Sequence, residues 1–207
     1  MTSRFITLEG GEGVGKSTQA RRLAAALRER GVNVLETREP GGSAGAEAIR
    51  ELLLSGTVDR WSPHAEALLF AAARSDHVQR TIKPALAEGR WVLCDRFLDS
   101  SLAYQGIVGG IGKAQIRALH DVGSGGFLPD RTLLLHIAAH EAAERTSRRD
   151  GANPDRFGAR DQAFHSAVNQ AFEQLAAAEP ERFRLIEASG GERDVTDRLI
   201  AALEDLL

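Results

Sequence analysis

The sequence predicts an α/β protein: a five-stranded parallel sheet covered by helices on both faces. Three observations predict it. Short apolar, β-branched runs alternate with longer segments whose apolar residues recur at helical spacing. The first run passes through a glycine-rich loop straight into a helix, the order expected where ligands sit outside the carboxyl ends of parallel strands. A length of 207 residues supports one substantial core, and neither repeats nor an interdomain linker divide it.

The strands are expected at Arg4–Leu8, Asn33–Thr37, Trp91–Cys94, Thr132–Ile137 and Phe183–Ile186. In the first, Phe5-Ile6-Thr7-Leu8 is apolar and β-branched throughout, as a strand buried on both faces requires. Helices are expected at Thr18–Arg30, where Ala20, Leu23, Ala24 and Leu27 share a face, and at Ala44–Leu54. A long helical stretch runs from Pro63 to about Ala87, followed by Lys113–Val122, Glu141–Arg149, Gln162–Ala178 and Val195–Leu206. Gly106–Gly112, Gly123–Pro129 and Ser147–Arg160 read as irregular; the last, rich in Arg, Asp, Gly and Pro, has the composition of a lid.

Between the first strand and first helix lies Gly10-Gly11-Glu12-Gly13-Val14-Gly15-Lys16-Ser17, which fits G-x-x-x-x-G-K-[ST] at every fixed position. Its glycines let backbone N–H groups turn inward on phosphate oxygens, and the helix N-terminus, from Thr18, completes the anion site. Lys16 supplies a point charge at the β- and γ-phosphates and Ser17 a hydroxyl for Mg²⁺. Lysine occurs only at positions 16, 83 and 113, so its presence inside this loop is no compositional accident.

Several classes are disfavoured. A formal charge of −3 gives no global reason for nucleic-acid binding. Cys94, the single cysteine, sits in an apolar run, so no intrachain disulfide forms, and no Cys/His set has zinc spacing. No apolar run approaches the ~20 residues of a membrane helix and no secretory leader is read before the first strand, so a cytoplasmic protein is expected. A GTP switch would need Asn-Lys-x-Asp, and neither Lys83 nor Lys113 stands in one.

The third strand ends Cys94-Asp95-Arg96-Phe97. Asp95 there can hold Mg²⁺ through water beside Ser17, and Arg96 can grip a second anion; a strand-end ion pair is the plainer reading. The second strand ends Thr37-Arg38-Glu39-Pro40-Gly41-Gly42, a tight turn that brings an Arg and a Glu to the same edge.

Taken together, the chain resembles the bacterial-type thymidylate kinases, a family of P-loop nucleoside monophosphate kinases. The resemblance rests on Leu8 through Gln19, Arg38-Glu39-Pro40-Gly41-Gly42, Leu69-Phe70-Ala71-Ala72-Ala73-Arg74, Asp95 through Gln105, and the Arg-rich segment around 148–157. It covers nearly the whole length in the family's order. It implies transfer of the ATP γ-phosphoryl group to dTMP, giving dTDP and ADP in dTTP biosynthesis, with Mg²⁺. It also implies a site for each substrate. Phe70 would stack on thymine, Arg74 would donate to a base carbonyl, and Gln105 with Ser101 would complete the base edge. Core packing is the competing reading for Phe70. Tyr104 would lie against the sugar C2′, Glu12 would face the 3′-OH and incoming phosphate, and Pro40 would wall the thymine methyl. Arg38 and Arg96 would bind the acceptor phosphate, with Ser100 beside them. Glu9 lies near the metal and acceptor or is structural.

On the donor side, Arg145, in the helix before the lid, resembles the family arginine that stacks on adenine. Some relatives carry an Arg inside the phosphate loop where this chain has Gly13, so the transition-state arginine is sought in the lid, Arg149 first and Arg148 second. Two positions depart from the family: Gly158 follows Phe157 where Glu is usual, and Phe172 stands where Tyr is common. The stretch from 63 to 87, with Trp61 just before it, is apolar on more than one face (Ala65, Leu68, Leu69, Ala72, Val78, Ile82), and the family's dimers form through helices of this region. A homodimer is therefore expected.

Overall fold

A computed structural model describes residues 2–150 and 155–207; the side chains of residues 147–150 lie outside that description. Strands β1 (Phe5–Glu9), β2 (Val34–Arg38), β3 (Trp91–Asp95), β4 (Arg131–His136) and β5 (Phe183–Glu187) form one parallel sheet in the order β2-β3-β1-β4-β5. Alternate strand residues feed two separate cores. Phe5, Val92, Cys94 and Leu134 face one, while Ile6, Leu8, Leu93, Leu133 and Leu135 face the other. Both faces being covered explains why the inner strands β1, β3 and β4 read as nearly continuous apolar runs.

Helices α1 (Lys16–Glu29) and α9 (Glu192–Ala201) cover the second face. The first is covered from α3 (Pro63–His77), α4 (Lys83–Ala87), α5 (Leu98–Ser101), α6 (Lys113–Ser124) and α8 (Gln162–Ala178). Helix α2 (Ala44–Leu54), capped by Ser43, packs on α3, and α7 (Ala139–Asp150) follows β4.

Two stretches differ from the sequence expectation. The helix from 63 to 87 widens to a π segment at Val78–Ile82 just before Pro84, which has no N–H to donate to the preceding turn. The chain from 98 to 108, for which the sequence suggested no helix and whose end fell in an irregular stretch, is helical: α5 runs into a π segment, Leu102–Val108. Its residues Leu98, Asp99, Ser101, Leu102, Ala103, Tyr104 and Gln105 are all buried. A segment buried on every side has no amphipathic period to read.

Register brings the phosphate machinery together. Asp95 pairs with Arg38 on one side and Leu8 on the other, so the ends of β1, β2 and β3 converge on one edge.

Candidate active site

Helix α1 starts at the end of the phosphate loop with Gly15 in the left-handed conformation (φ 92°), no side chain capping its N–H groups, and no acid in its first turn. Helices α2 and α3 have serine caps and an early Glu. An N-terminus left uncapped and free of carboxylates is one shaped for an external anion. Lys16 curls back over the loop, Nζ donating to the Gly11 carbonyl at 2.6 Å. Gly10 and Gly13 take φ 138° and 76°. A Cβ on Gly13 would lie 2.2 Å from the Ala142 carbonyl of α7, so an arginine at this position would force α7 off the loop. Gly11 and Val14 lie buried beneath the loop surface.

Burial lowers the Lys16 ammonium to about 8, Arg96 acting in the same direction. Triphosphate charge favours the protonated form, so ATP binding is expected to take up a proton once the pH passes about 8. Below that value Lys16 is already charged and affinity should be flat; above it, Kd should climb toward tenfold per pH unit. Calorimetry in buffers of different ionisation enthalpy at pH 7 and 9 measures this, and a Kd flat across that range would contradict it.

Ser17 Oγ donates to Asp95 Oδ2 at 2.6 Å, while Asp95 Oδ1 is buried without a hydrogen-bond partner. A hydroxyl and an orphaned carboxylate oxygen at a phosphate loop are the donor set that a hard divalent cation takes, so these residues fit Mg²⁺. Arg96, the next residue, adopts φ 70°, the only non-glycine among the described residues with positive φ. That turn throws its guanidinium back across the site. Nη1 donates to the Gly10 carbonyl and Ser100 Oγ, both at 3.1 Å; Nη2 donates to Glu12 at 2.5 Å; and the group lies over the Tyr104 ring.

Glu9 is wholly buried and accepts from Phe97 N, Ser100 N and Ser100 Oγ, holding the turn from β3 into α5. Burial, then Asp99, pushes its carboxyl up to about 7. Ser100, read as a substrate contact, thus has its hydroxyl between Glu9 and Arg96.

The cleft beside the loop encloses about 370 Å³. Its walls bring together Glu12, Gly13, Gly15, Lys16, Ser17, Thr18, Arg38, Pro40, Phe70, Arg74, Asp95, Arg96, Ser100, Ser101, Tyr104 and Gln105. These residues come from four stretches of the chain, 12–18, 38–40, 70–74 and 95–105. Arg74 is buried; Nε donates to Glu39 at 2.8 Å and Nη2 to Ser101 Oγ and the Phe97 carbonyl, while Nη1 has no partner among the described residues. Behind Glu39 stands His77, which also meets Thr37 Oγ1. The Tyr104 hydroxyl is buried and unpartnered, and burial raises it to about 12. Phe172 packs edge-on beneath the Tyr104 ring.

Arg145 lies apart from these walls, bonded to the Ala188 carbonyl beyond β5 and paired with Glu141. The side chains of Arg148 and Arg149 lie outside the described residues.

Sequence reading missed Arg50, which donates to the Pro40 carbonyl at 2.7 Å, and the lining residues Leu54, Phe97, Asp155 and Phe157. Arg50 sits on an ordinary amphipathic helix, and nothing in its neighbours marks it. Arg156 and Phe157, assigned by composition to the lid, are buried: Phe157 meets Phe70 and Tyr104, and Arg156 donates to the Leu53 carbonyl at the end of α2 and to those of Thr57 and Val58 in the α2–α3 connection.

A parallel sheet with a phosphate loop, adjoining a cleft that carries four arginines and an aromatic wall, defines a P-loop kinase of small phosphorylated acceptors. The family model for thymidylate kinase matches residues 8–199. A thymidylate kinase of Rhizorhabdus wittichii is 64% identical over 207 residues, the full length of both chains. One of Bradyrhizobium diazoefficiens is 47% identical over 99% of this chain and 90% of its own. The crystal structure of a thymidylate kinase from Ehrlichia chaffeensis superimposes with a TM-score of 0.80 at 32% identity, covering 99% of this chain and 100% of that one. The chain belongs to the thymidylate kinase family.

Proposed function

We infer that the cleft carries out its family's reaction, transfer of the ATP γ-phosphoryl group to dTMP, giving dTDP and ADP. The observation that carries this is the convergence of Lys16, Arg96, Arg74 and Gln105 on one cavity beside an uncapped helix N-terminus. The acceptor is already an anion, so no strong general base is needed; the task is to align two polyanions and screen their repulsion. Lys16 and the loop N–H groups would hold the donor phosphates. Arg96 would exchange Glu12 for the acceptor phosphate, with Arg38 nearby. Phe70 would stack on the base, Arg74 Nη1 would donate to a base carbonyl, and Tyr104 would close the sugar side.

Ser17 and Asp95 would hold Mg²⁺, which supplies charge neutralisation between the phosphates when bound. Arg145 would flank adenine. The transition-state arginine is assigned to Arg149 before Arg148, since α7 leaves no room for one at Gly13.

The test is ADP release from Mg·ATP with dTMP, dUMP, dCMP, dGMP, AMP, UMP and thymidine offered separately. Selective turnover with dTMP is expected. Selectivity for another monophosphate would overturn the base-site assignments, and hydrolysis indifferent to every acceptor would overturn the kinase reading.

The chain would act as a homodimer in the cytoplasm, where its nucleotide substrates are. Leu68 of α3 and Val122 of α6 are 56% and 90% exposed on helices that pack together, an apolar surface suited to a second copy. Sedimentation of a dimer is expected, and Leu68→Glu should shift it toward monomer. No helix among the described residues is long and apolar enough to cross a membrane.

A further inference from the structure

Gln105 has a buried partner that determines which end of its amide faces the cleft. Its Nε2 donates to Glu66 Oε1 at 2.9 Å, and the other carboxylate oxygen, Oε2, accepts from Arg156 Nη2 at 2.9 Å. All three side chains are buried. A guanidinium only donates and a carboxylate paired with it only accepts, so Glu66 can receive Gln105 solely through its NH₂. The Gln105 carbonyl oxygen is then left on the cleft side, without a partner among the described residues.

We propose that Glu66 is a positioning residue that sets base specificity: by locking the Gln105 amide with its oxygen toward the base, it selects acceptors with a ring N–H and rejects those with a bare ring nitrogen. This rests on the reading of the cleft as the dTMP site. Thymine presents N3–H and meets an acceptor; a cytosine ring presents a lone pair at N3 and meets another lone pair. Arg156, within the stretch that composition assigned to the lid, holds Glu66 and thereby the polarity of the whole chain of bonds.

The isosteric change Glu66→Gln reverses that polarity. Arg156 still donates, so it takes the new amide oxygen; the new NH₂ then faces Gln105, whose own amide must turn to accept it and present N–H to the base. The experiment compares kcat/KM for dTMP and for 5-methyl-dCMP, which retains the methyl but lacks N3–H, in the wild type, Glu66→Gln, Gln105→Ala and the double variant. For Glu66→Gln the dTMP value should fall about ten- to a hundredfold, the cost of facing donor with donor in a buried site. The 5-methyl-dCMP value should hold or rise. Arg74 still opposes the 4-amino group, so the ratio narrows without inverting. On the Gln105→Ala background, Glu66→Gln should leave the ratio unchanged.

A parallel fall with both acceptors, or a ratio change that persists without Gln105, would overturn the proposal and leave Glu66 a packing residue. A measurement on the wild type stands independent of variant folding. The Gln105 side-chain NH₂, assigned in ¹⁵N NMR by its loss in Gln105→Ala, should exchange slowly with water before ligand is added; exchange at a free-amide rate would overturn the lock. Wild-type protein that turns over no dTMP would instead sink the function proposed above, whatever the variants do.

Discussion

Replacing Arg96 by Ala is expected to lower kcat/KM for dTMP by about 10³-fold, while ATP affinity changes only a few-fold. Arg96 is the common partner of Gly10, Ser100 and Glu12. Without it the Glu12 carboxylate and the incoming acceptor phosphate lose the guanidinium that stands between them, and their approach costs more. Alanine inherits the same φ of 70° and the same strain, so the backbone adds nothing new to the comparison. Arg96→Lys keeps the charge but not the fork that reaches three groups at once, and should recover little of the loss. Steady-state kinetics varying each substrate separately decides this; an unchanged KM for dTMP would remove Arg96 from the acceptor phosphate.

Arg74→Leu should destabilise the fold by about 3–5 kcal/mol, because it strands Glu39 inside the protein. Glu39 and Arg74 have side chains 4% and 3% exposed, and among the described residues only His77 would remain paired with the carboxylate. For a chain of this size the loss corresponds to a fall in Tm of roughly 6–20 °C. Removing the stranded charge as well, in Arg74→Leu with Glu39→Leu, should restore most of the stability. It should not restore dTMP binding, which needs the guanidinium itself. Denaturant titration alongside dTMP kinetics separates the two roles; a single-variant loss under about 1 kcal/mol would mean Glu39 is not held by this pair.

Much of the site was legible along the chain because its chemistry is local. The phosphate loop works through residues within eight positions of one another, and Asp95-Arg96 lies at a strand end where a parallel sheet always presents its ligands. The inner strands β1, β3 and β4 could be read because both sheet faces are buried there, while the edge strands β2 and β5 keep only a shorter apolar core around Val34-Leu35 and Leu185-Ile186. The stretch from 98 to 108 failed the same reasoning, since burial on every side erases periodicity, and its polar residues bond inward: Ser100 to Glu9, Asp99 to Arg182.

What the sequence alone determined was therefore the sheet, the phosphate loop and the kinase class, along with most of the residue types that line the cleft. The tertiary structure decided which atoms of those residues remain available. Ser100 and two of the Arg74 nitrogens are engaged by protein, Arg50 enters the cleft unannounced, and Arg156, 90 residues from Glu66, sets the orientation of an amide a further 39 residues from that glutamate. The physical reason is that a hydrogen-bond chain is directional but has no sequence period. Its polarity depends on which donors and acceptors fold into contact, and that is settled only when distant segments pack.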